Sequence, residues 1–195
     1  MELIFATNNP HKLQEAQAII GPEHLIKSLR ELGFTEDIPE TADSLEGNAE
    51  IKARTVYDKF GLPCFADDTG LEVQAINNEP GVHSARYAGI KQDSSANLQK
   101  LLKAMQGIEE REARFRTSVC LIIENKSWFF EGRVTGKIAE KPEGSKGFGY
   151  DPVFIPDGYT ESFAQLPTET KNQISHRARA IGKLADFIRF LHQIK

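Results

Sequence analysis

The segment Phe65-Ala66-Asp67-Asp68-Thr69-Gly70 places two adjacent carboxylates at the end of an apolar run and directly before a glycine. A strand that ends in this way delivers acidic side chains into a cleft. Adjacent carboxylates repel each other unless a cation or hydrogen bonds compensate, and a hard divalent ion such as magnesium does so readily. The segment therefore predicts a strand that carries a metal site. A solvated Asp-Asp turn is the alternative interpretation.

Strands and helices alternate on both sides of this segment, which predicts an α/β fold. Asp43, followed three residues later by Glu46, resembles a capping box for the second helix. The first predicted elements, in chain order, are a strand at Leu3–Ala6, a helix that Asn9-Pro10 opens and that ends before Gly21-Pro22, a strand near His24–Ser28 and a helix through about Phe60. The strand with the two acids follows, then an alternating strand at Leu71–Ile76, a helix at Asn97–Met105, a strand at Val153–Ile155, and, after a loop, a final helix from about Ser175.

Two long segments resemble strands. Ala113–Ile123 alternates apolar and polar residues, Trp128–Ile138 is equally strand-like, and Glu124-Asn125-Lys126 separates the two. This arrangement predicts a long antiparallel hairpin. The expected fold is thus a central mixed sheet that contains this hairpin and is flanked by helices. With 195 residues and no Pro- or Ser-rich linker, the chain is predicted to form a single domain at 1–195.

Composition excludes several classes of protein. The net charge of −4 and the apolar share of 39% argue against a disordered chain and against a surface that coats a nucleic-acid polymer. No segment approaches the roughly 18 apolar residues of a membrane span, and the N-terminal residues lack a basic leader. Cys64 and Cys120 lie within apolar runs and are expected to be core residues of a cytoplasmic protein, with a buried bridge as the minor alternative.

Three further segments carry candidate binding residues. Thr7-Asn8-Asn9-Pro10-His11-Lys12 joins the first strand to the first helix, where backbone N–H groups favour a phosphate, although a plain capped helix is the alternative. Gly147–Pro152 offers Phe148 for stacking on a base and Asp151 for its ring N–H groups; a tight turn is the alternative. Ser175-His176-Arg177 puts two basic residues on the first turn of a helix, where an anionic or carbonyl-bearing ligand would compensate, although a surface histidine and an ordinary ion pair would also account for them.

Taken together and in this order, these segments resemble the inosine triphosphate pyrophosphatase family, also called the XTP/dITP diphosphatases, and the resemblance runs essentially end to end. Each motif is modest alone, but five in register are highly specific. The elements that carry the resemblance are Thr7–Lys12, Asp67–Leu71, Pro80–Tyr87, Phe148–Pro152 and Ser175–Arg177.

The resemblance implies hydrolysis of non-standard purine nucleoside triphosphates (ITP, dITP, XTP and dXTP) to the monophosphate and pyrophosphate, in a cleft between two lobes. It also implies a homodimer, to which Leu71–Tyr87 is a candidate contributor. Mg²⁺ would be held by Glu40 and Asp68. Asp68 would be the catalytic base, with Asp67 second. Successive strand residues point to opposite faces, so the two acids are not expected to line the same pocket unless the turn at Thr69-Gly70 twists them.

The substrate-binding residues that the resemblance implies fall into two sets. Thr7, Asn8, Asn9, Pro10, His11, Lys12, Lys52 and Lys171 are expected at the polyphosphate, with Thr69 beside the catalytic carboxylate. Phe148, Gly149, Tyr150, Asp151, Ser175, His176 and Arg177 are expected at the purine.

One stretch departs from the family pattern, because Ser44–Ala49 has Gly47 where the family commonly has glutamate. Glycine within a helix costs roughly 1 kcal/mol relative to a good helix former. Two other functions remain open at this point: a Maf-type pyrophosphatase, against which Ser175–Arg177 argues, and a nucleotide sensor without turnover, against which the retained acids Asp67, Asp68 and Glu40 argue.

Overall fold

The protein is described by a computed structural model that covers residues 2–193, with the side chain of His192 left out. Residues 1, 194 and 195 of the predicted single domain lie outside the described part. The strands are β1 Glu2–Phe5, β2 Leu25–Ser28, β3 Cys64–Val73, β4 Glu79–Gly81, β5 Glu112–Ile123, β6 Lys126–Ile138 and β7 Phe154–Pro156. The α-helices are α1 Pro10–Ile20, α2 Leu45–Phe60, α3 Ser94–Ala104, α4 Thr168–Ile174 and α5 His176–Gln193.

The seven strands form one mixed sheet in the order β2-β1-β3-β5-β6-β7, with β4 paired to β3. β1 runs parallel to β2 and β3, whereas β3–β4 and β6–β7 are antiparallel pairs. The parallel β1–β3 pair aligns Phe5 with Phe65, and their rings stack with centroids 4.4 Å apart. The predicted α/β fold with a mixed sheet is confirmed.

The predicted hairpin is also confirmed. β5 and β6 are sheet neighbours joined by Glu124 and Asn125, which have φ values of 50° and 63°. Two consecutive left-handed residues form the tight turn whose twist matches that of antiparallel strands.

The chain divides into two compact units. The first comprises Met1–Asp68, Thr117–Gly132 and Arg177–Lys195, and the second comprises Thr69–Arg116 and Arg133–His176. In the first unit, the apolar faces of α1 and α5 pack with β1 and β3. In the second unit, Phe115, Phe154 and Phe163 form an aromatic cluster within the core.

Several predicted boundaries were wrong. Ser44, not Asp43, caps α2, because its side chain accepts from the N–H of Gly47. β3 runs unbroken to Val73 and Gln74–Ile76 is a 3-10 turn, so the separate strand predicted at Leu71–Ile76 does not exist. α3 begins earlier than predicted because Asp93 caps it at Ser94.

The segment predicted as a loop before the last helix contains the seven-residue helix α4, while β7 begins at Phe154, one residue later than predicted. Cys64 and Cys120 are buried and free, as expected for core residues. Among the helices of the described residues, none is long and apolar enough to cross a membrane.

Candidate active site

The two adjacent acids of β3 serve different partners. Asp67 contacts Lys12 and Arg177, whereas Asp68 contacts Lys52 and Asn48. The strand continues through Thr69 and Gly70 without a turn, so the alternation of a β-strand keeps the two carboxylates on opposite faces. The sequence predicted that the two acids do not line the same pocket unless a turn at Thr69-Gly70 twists them, and β3 contains no such turn.

Asp68 belongs to a cluster of acids around one ammonium group. Lys52 Nζ on α2 donates to Asp68 Oδ1 at 3.0 Å and to Glu40 Oε1 at 2.7 Å. Asn48, one helical turn before Lys52, donates from Nδ2 to Asp68 Oδ2 at 3.3 Å. The carboxylates of Glu40 and Asp68, 28 positions apart in the sequence, therefore converge on a single cation.

Burial sets the protonation tendencies of this cluster. Burial raises the pKa of the Asp68 carboxyl above its ordinary value, and the Lys52 ammonium opposes that rise. Burial acts to lower the pKa of Lys52, but the Asp68 and Glu40 carboxylates outweigh it and the pKa lies above its ordinary value. The result is a more basic carboxylate beside a firmly charged ammonium.

The cluster fits a magnesium ion in its donor type. Mg²⁺ prefers oxygen ligands and is usually bound by one or two carboxylates, several waters and substrate phosphates. Glu40 and Asp68 supply two such carboxylates, which both pair with the ammonium group of Lys52. Within residues 2–193, no group of three or more His, Cys, Asp or Glu side chains is arranged to hold a metal, so this pair would depend on water and phosphate for its other ligands.

Asp67 lies in a second network, built from α1, β3 and α5. Its Oδ1 accepts from Lys12 Nζ at 2.9 Å and its Oδ2 from Arg177 Nε at 3.1 Å. Arg177, only 2% exposed, also donates from Nη1 to Glu15 on α1. Burial lowers the pKa of Lys12, and the Asp67 carboxylate offsets only part of that effect.

The Thr7–Lys12 loop has its own internal support. Asn9 Oδ1 caps α1 by accepting from the N–H groups of His11 at 3.0 Å and Lys12 at 3.4 Å. Thr7 Oγ1 accepts from the N–H of Asn9 at 3.1 Å, while Asn8, Pro10 and His11 are exposed. The loop thus combines the capped-helix interpretation with an exposed edge beside Lys12.

In the second unit, the glycine-rich loop folds around Asp151. Asp151 Oδ2 accepts from the N–H of Phe148 at 2.8 Å and from Lys171 Nζ at 2.7 Å. Gly147 has a φ of +73°, and a Cβ there would overlap the Asp151 carboxylate. Lys171 Nζ lies 5.0 Å from the centroid of the half-buried Phe148 ring. The ion pair between Asp151 and Lys171 therefore stabilises the conformation of this loop.

The remaining predicted purine contacts belong to the same unit, except Arg177. Tyr150 is buried and donates its hydroxyl to the carbonyl of Ser84 at 2.8 Å. The His176 ring stacks on Phe115 with centroids 4.5 Å apart, and Ser175 separates α4 from α5. Gly149 has a φ of +62° with open space beside it, and Thr69 is half-buried on β3.

Ser84 connects the Pro80–Tyr87 element to β3 through hydrogen bonds. Its hydroxyl accepts from the N–H of Leu71 at 2.8 Å and donates to the carbonyl of Gly81 at 2.6 Å. This short segment is therefore fastened to β3 just beyond the two acids.

Sequence reasoning left Asn48 and Glu15 out of the candidate site. A signal for each was present in the sequence, since Asn48 precedes Lys52 by four residues and Glu15 follows Lys12 by three. Residues with these spacings share one face of a helix.

Comparison with known proteins gives the family. Residues 3–187 match the Ham1 family. The chain belongs to the Ham1 family. Among Ham1 relatives, a dITP/XTP pyrophosphatase of Porphyromonas gingivalis is 57% identical over 188 residues, covering 96% of this chain and 97% of that protein. A dITP/XTP pyrophosphatase of Bacillus subtilis is 45% identical over 193 residues, covering 96% of each.

Solved Ham1 structures agree with this fold. The Staphylococcus aureus Ham1 protein superposes with a TM-score of 0.88 at 36% identity, covering 98% of this chain and all of that one. A nucleoside-triphosphatase / dITP/XTP pyrophosphatase of Mycobacterium abscessus gives a TM-score of 0.76 at 42% identity, covering 94% and 98%. The resemblance recognised in the sequence elements is confirmed.

Proposed function

We propose that this Ham1 protein hydrolyses non-standard purine nucleoside triphosphates (ITP, dITP, XTP and dXTP) to the monophosphate and pyrophosphate. This reaction removes such nucleotides from the pool before polymerases incorporate them into DNA or RNA. The observation that carries the proposal is that Glu40 and Asp68 converge on the single ammonium group of Lys52, in a chain whose relatives are dITP/XTP pyrophosphatases.

Glu40 and Asp68 would hold a magnesium ion. When bound, the ion supplies charge neutralisation for the phosphate oxygens and orients water. Lys52 donates hydrogen bonds to both carboxylates. It thereby keeps the two acids close together before the negatively charged phosphate oxygens of the substrate bind.

Asp68 is the proposed general base. Its carboxylate accepts a proton from the attacking water while the new oxygen–phosphorus bond forms at the α-phosphorus. The bond from that phosphorus to the bridging oxygen breaks, and the electron pair leaves with pyrophosphate. A carboxyl whose pKa is raised by burial is a better proton acceptor near neutral pH.

The polyphosphate is assigned to the first unit. Lys12 and Lys52 provide positive charge, and Thr7, Asn8, Asn9, Pro10 and His11 provide the loop that leads into α1. Asp67 holds Lys12 at 2.9 Å and is itself held by Arg177, so these contacts favour a bracing role for Asp67 and Arg177. Thr69 follows the proposed base directly and is assigned to phosphate or sugar.

The purine is assigned to residues of the second unit, with Phe148 stacking on the ring system. The resemblance implies Lys171 at the polyphosphate, but its ion pair with Asp151 favours a role in supporting the loop that carries Phe148. Hypoxanthine and xanthine carry a carbonyl at position 6, which accepts hydrogen bonds, whereas adenine presents an amino group there. A buried hydrogen-bond donor of the protein that faces this amino group is left unpaired, which costs about 1 to 3 kcal/mol of binding free energy. The remaining residues assigned to this part of the substrate are Gly149, Tyr150, Ser175 and His176.

A substrate panel tests the assignment. Specificity constants would be measured with magnesium for ITP, dITP and XTP and compared with those for ATP, GTP and TTP. We expect the first three to exceed ATP and TTP by at least roughly tenfold, since each unpaired donor costs about 1 to 3 kcal/mol, and GTP to be spared. Binding of ITP without formation of any product would indicate a nucleotide sensor instead of an enzyme. Equal specificity constants for all six nucleotides would refute the purine assignment.

We also propose that the protein works as a homodimer in the cytoplasm. The family resemblance supports the dimer. The two free buried cysteines are in keeping with a reducing compartment.

A further inference from the structure

Asn48 connects two parts of the chain at the proposed metal site. It is fully buried on the first turn of α2. Its Oδ1 accepts from the N–H of Ala42 at 2.9 Å, and its Nδ2 donates to Asp68 Oδ2 at 3.3 Å. One amide therefore bonds to the segment that carries Glu40 and to the strand that carries Asp68.

Glu40 needs such a connection because of where it lies. Residue 40 belongs to an irregular segment between β2 and α2, and the Glu40 side chain is 21% exposed. Side chains on irregular segments are held less firmly than those on strands or helices, and metal ligands need support from neighbouring hydrogen bonds. The bond to Ala42, two residues beyond Glu40, provides that support.

Gly47 allows this segment to approach the helix. A Cβ at position 47 would lie 2.6 Å from the Cβ of Ala42 and 3.1 Å from the Oγ of Ser44. A contact of 2.6 Å between two such carbons does not occur, so either Ala42 or the helix would shift. The glycine that departs from the family pattern thus lets Ala42 reach the Asn48 amide in this chain.

We propose that Asn48 is a positioning residue for the divalent cation. Its two hydrogen bonds fix the spacing of Glu40 and Asp68, and Gly47 leaves the space that Ala42 needs to approach the helix. This inference rests on the proposed function and deepens it at the same site. The neutral amide is suited to the task because its Oδ1 accepts from Ala42 while its Nδ2 donates to Asp68. An ionised carboxylate can only accept, and a hydroxyl has to donate and accept through a single oxygen atom.

The test compares Asn48→Leu with a matched variant, Asn97→Leu. Asn97 is also buried on a helix, where its Oδ1 accepts from the N–H of Ala88 at 2.6 Å and its Nδ2 donates to the carbonyl of Ala85 at 2.8 Å. Both substitutions remove one accepted and one donated hydrogen bond with little change in volume. Only the substitution at position 48 touches the acids.

Manganese alone, without nucleotide, is titrated into each folded protein and free Mn²⁺ is followed by electron paramagnetic resonance. We expect Asn48→Leu to weaken manganese binding about 10- to 100-fold, the usual effect of losing a residue that orients metal ligands. Asn97→Leu should stay within about twofold of wild type, although both variants unfold at lower urea concentration. Equal manganese affinity for Asn48→Leu and wild type, or an equal loss for Asn97→Leu, would overturn the inference.

A second variant and a second readout cover the case in which Asn48→Leu does not fold. Gly47→Ala displaces Ala42 without changing any polar group, and it should raise the magnesium concentration needed for half-maximal ITP hydrolysis while saturating magnesium restores most of the rate. If the wild type hydrolyses ITP and Gly47→Ala needs the same magnesium concentration as the wild type, this inference alone is overturned. A wild type that neither binds manganese nor hydrolyses ITP would overturn the proposed function together with it.

Discussion

Asp67 is a buried carboxylate, 2% exposed, held between the ammonium of Lys12 and the guanidinium of Arg177. Asp67→Asn removes the negative charge and leaves two cations facing a neutral amide. Breaking a buried ion pair from one side costs about 3 to 5 kcal/mol, and urea unfolding should show a loss of that size. The control is Asp186→Asn, whose 76% exposed side chain pairs with Arg189 and should change stability by less than about 1 kcal/mol. Similar losses in both variants would contradict the proposed bracing.

The same carboxyl predicts a dependence of stability on pH. Burial acts to raise the pKa of Asp67, but Lys12 and Arg177 outweigh it and hold the pKa well below its ordinary value. Its contribution is therefore fully present above the unfolded-state pKa of about 3.9 and is lost as the pH falls toward the folded-state value.

The stability difference between wild type and Asp67→Asn should accordingly shrink below about pH 4, by at most about 1.4 kcal/mol per pH unit. Urea unfolding of both proteins from neutral to acidic pH measures it. A difference that stays constant over that range would show that Asp67 is not the titrating group.

How much of the site the sequence reveals depends on separation along the chain. Asp68 and Lys12 lie in short motifs whose local structure already suggests their chemistry. The contact between Arg177 and Glu15 joins residues 162 positions apart, and nothing local to either residue indicates the other. The bracing network around Asp67 therefore emerges only from the fold.

At the scale of elements, two helical glycines make a matched pair. Gly47 in α2 faces Ala42, with a Cβ contact of 2.6 Å if alanine were present, whereas Gly182 in α5 has open space within 4 Å. Alanine normally stabilises a helix interior by about 1 kcal/mol relative to glycine. We expect Gly182→Ala to raise the free energy of unfolding by up to that amount and Gly47→Ala to lower it. Thermal or urea unfolding of both variants measures the signs, and stabilisation by Gly47→Ala would contradict the close approach of Ala42.

Long periodic elements were predictable and short or capped boundaries were not. The hairpin and the helices α1, α2 and α5 show repeats of two or of three to four residues over many positions. α4 has only seven residues, too few for its periodicity to stand out. The cap of α2 was misplaced by one residue, because Asp43 and Ser44 are both good capping residues and only the hydrogen bond from the N–H of Gly47 separates them.

At the scale of the whole molecule, the division into two units has no signal in the sequence. The chain passes from one unit to the other at Asp68/Thr69, Arg116/Thr117, Gly132/Arg133 and His176/Arg177. Each passage falls within a strand or at a helix start and not in a Pro- or Ser-rich linker. Linker composition, the usual sign of a boundary, is therefore missing.

Assembly is a further prediction at this scale. The proposed homodimer should sediment as a single species of twice the 21.8 kDa chain mass at micromolar concentration. Sedimentation velocity measures this directly. A single species at the mass of one chain would contradict the dimer and leave the chemistry at Asp68 unaffected.

Hydrolysis of ITP between its α- and β-phosphates with Asp68 as the base is tested most directly by chromatography of the products from wild type and Asp68→Asn with magnesium. Matched unfolding curves establish that both proteins are folded. We expect inosine monophosphate and pyrophosphate in equal amounts from wild type, and a rate at least about 100-fold lower from Asp68→Asn, the usual effect of losing a general base. Inosine diphosphate with phosphate as products, or an undiminished rate from the folded variant, would contradict this mechanism.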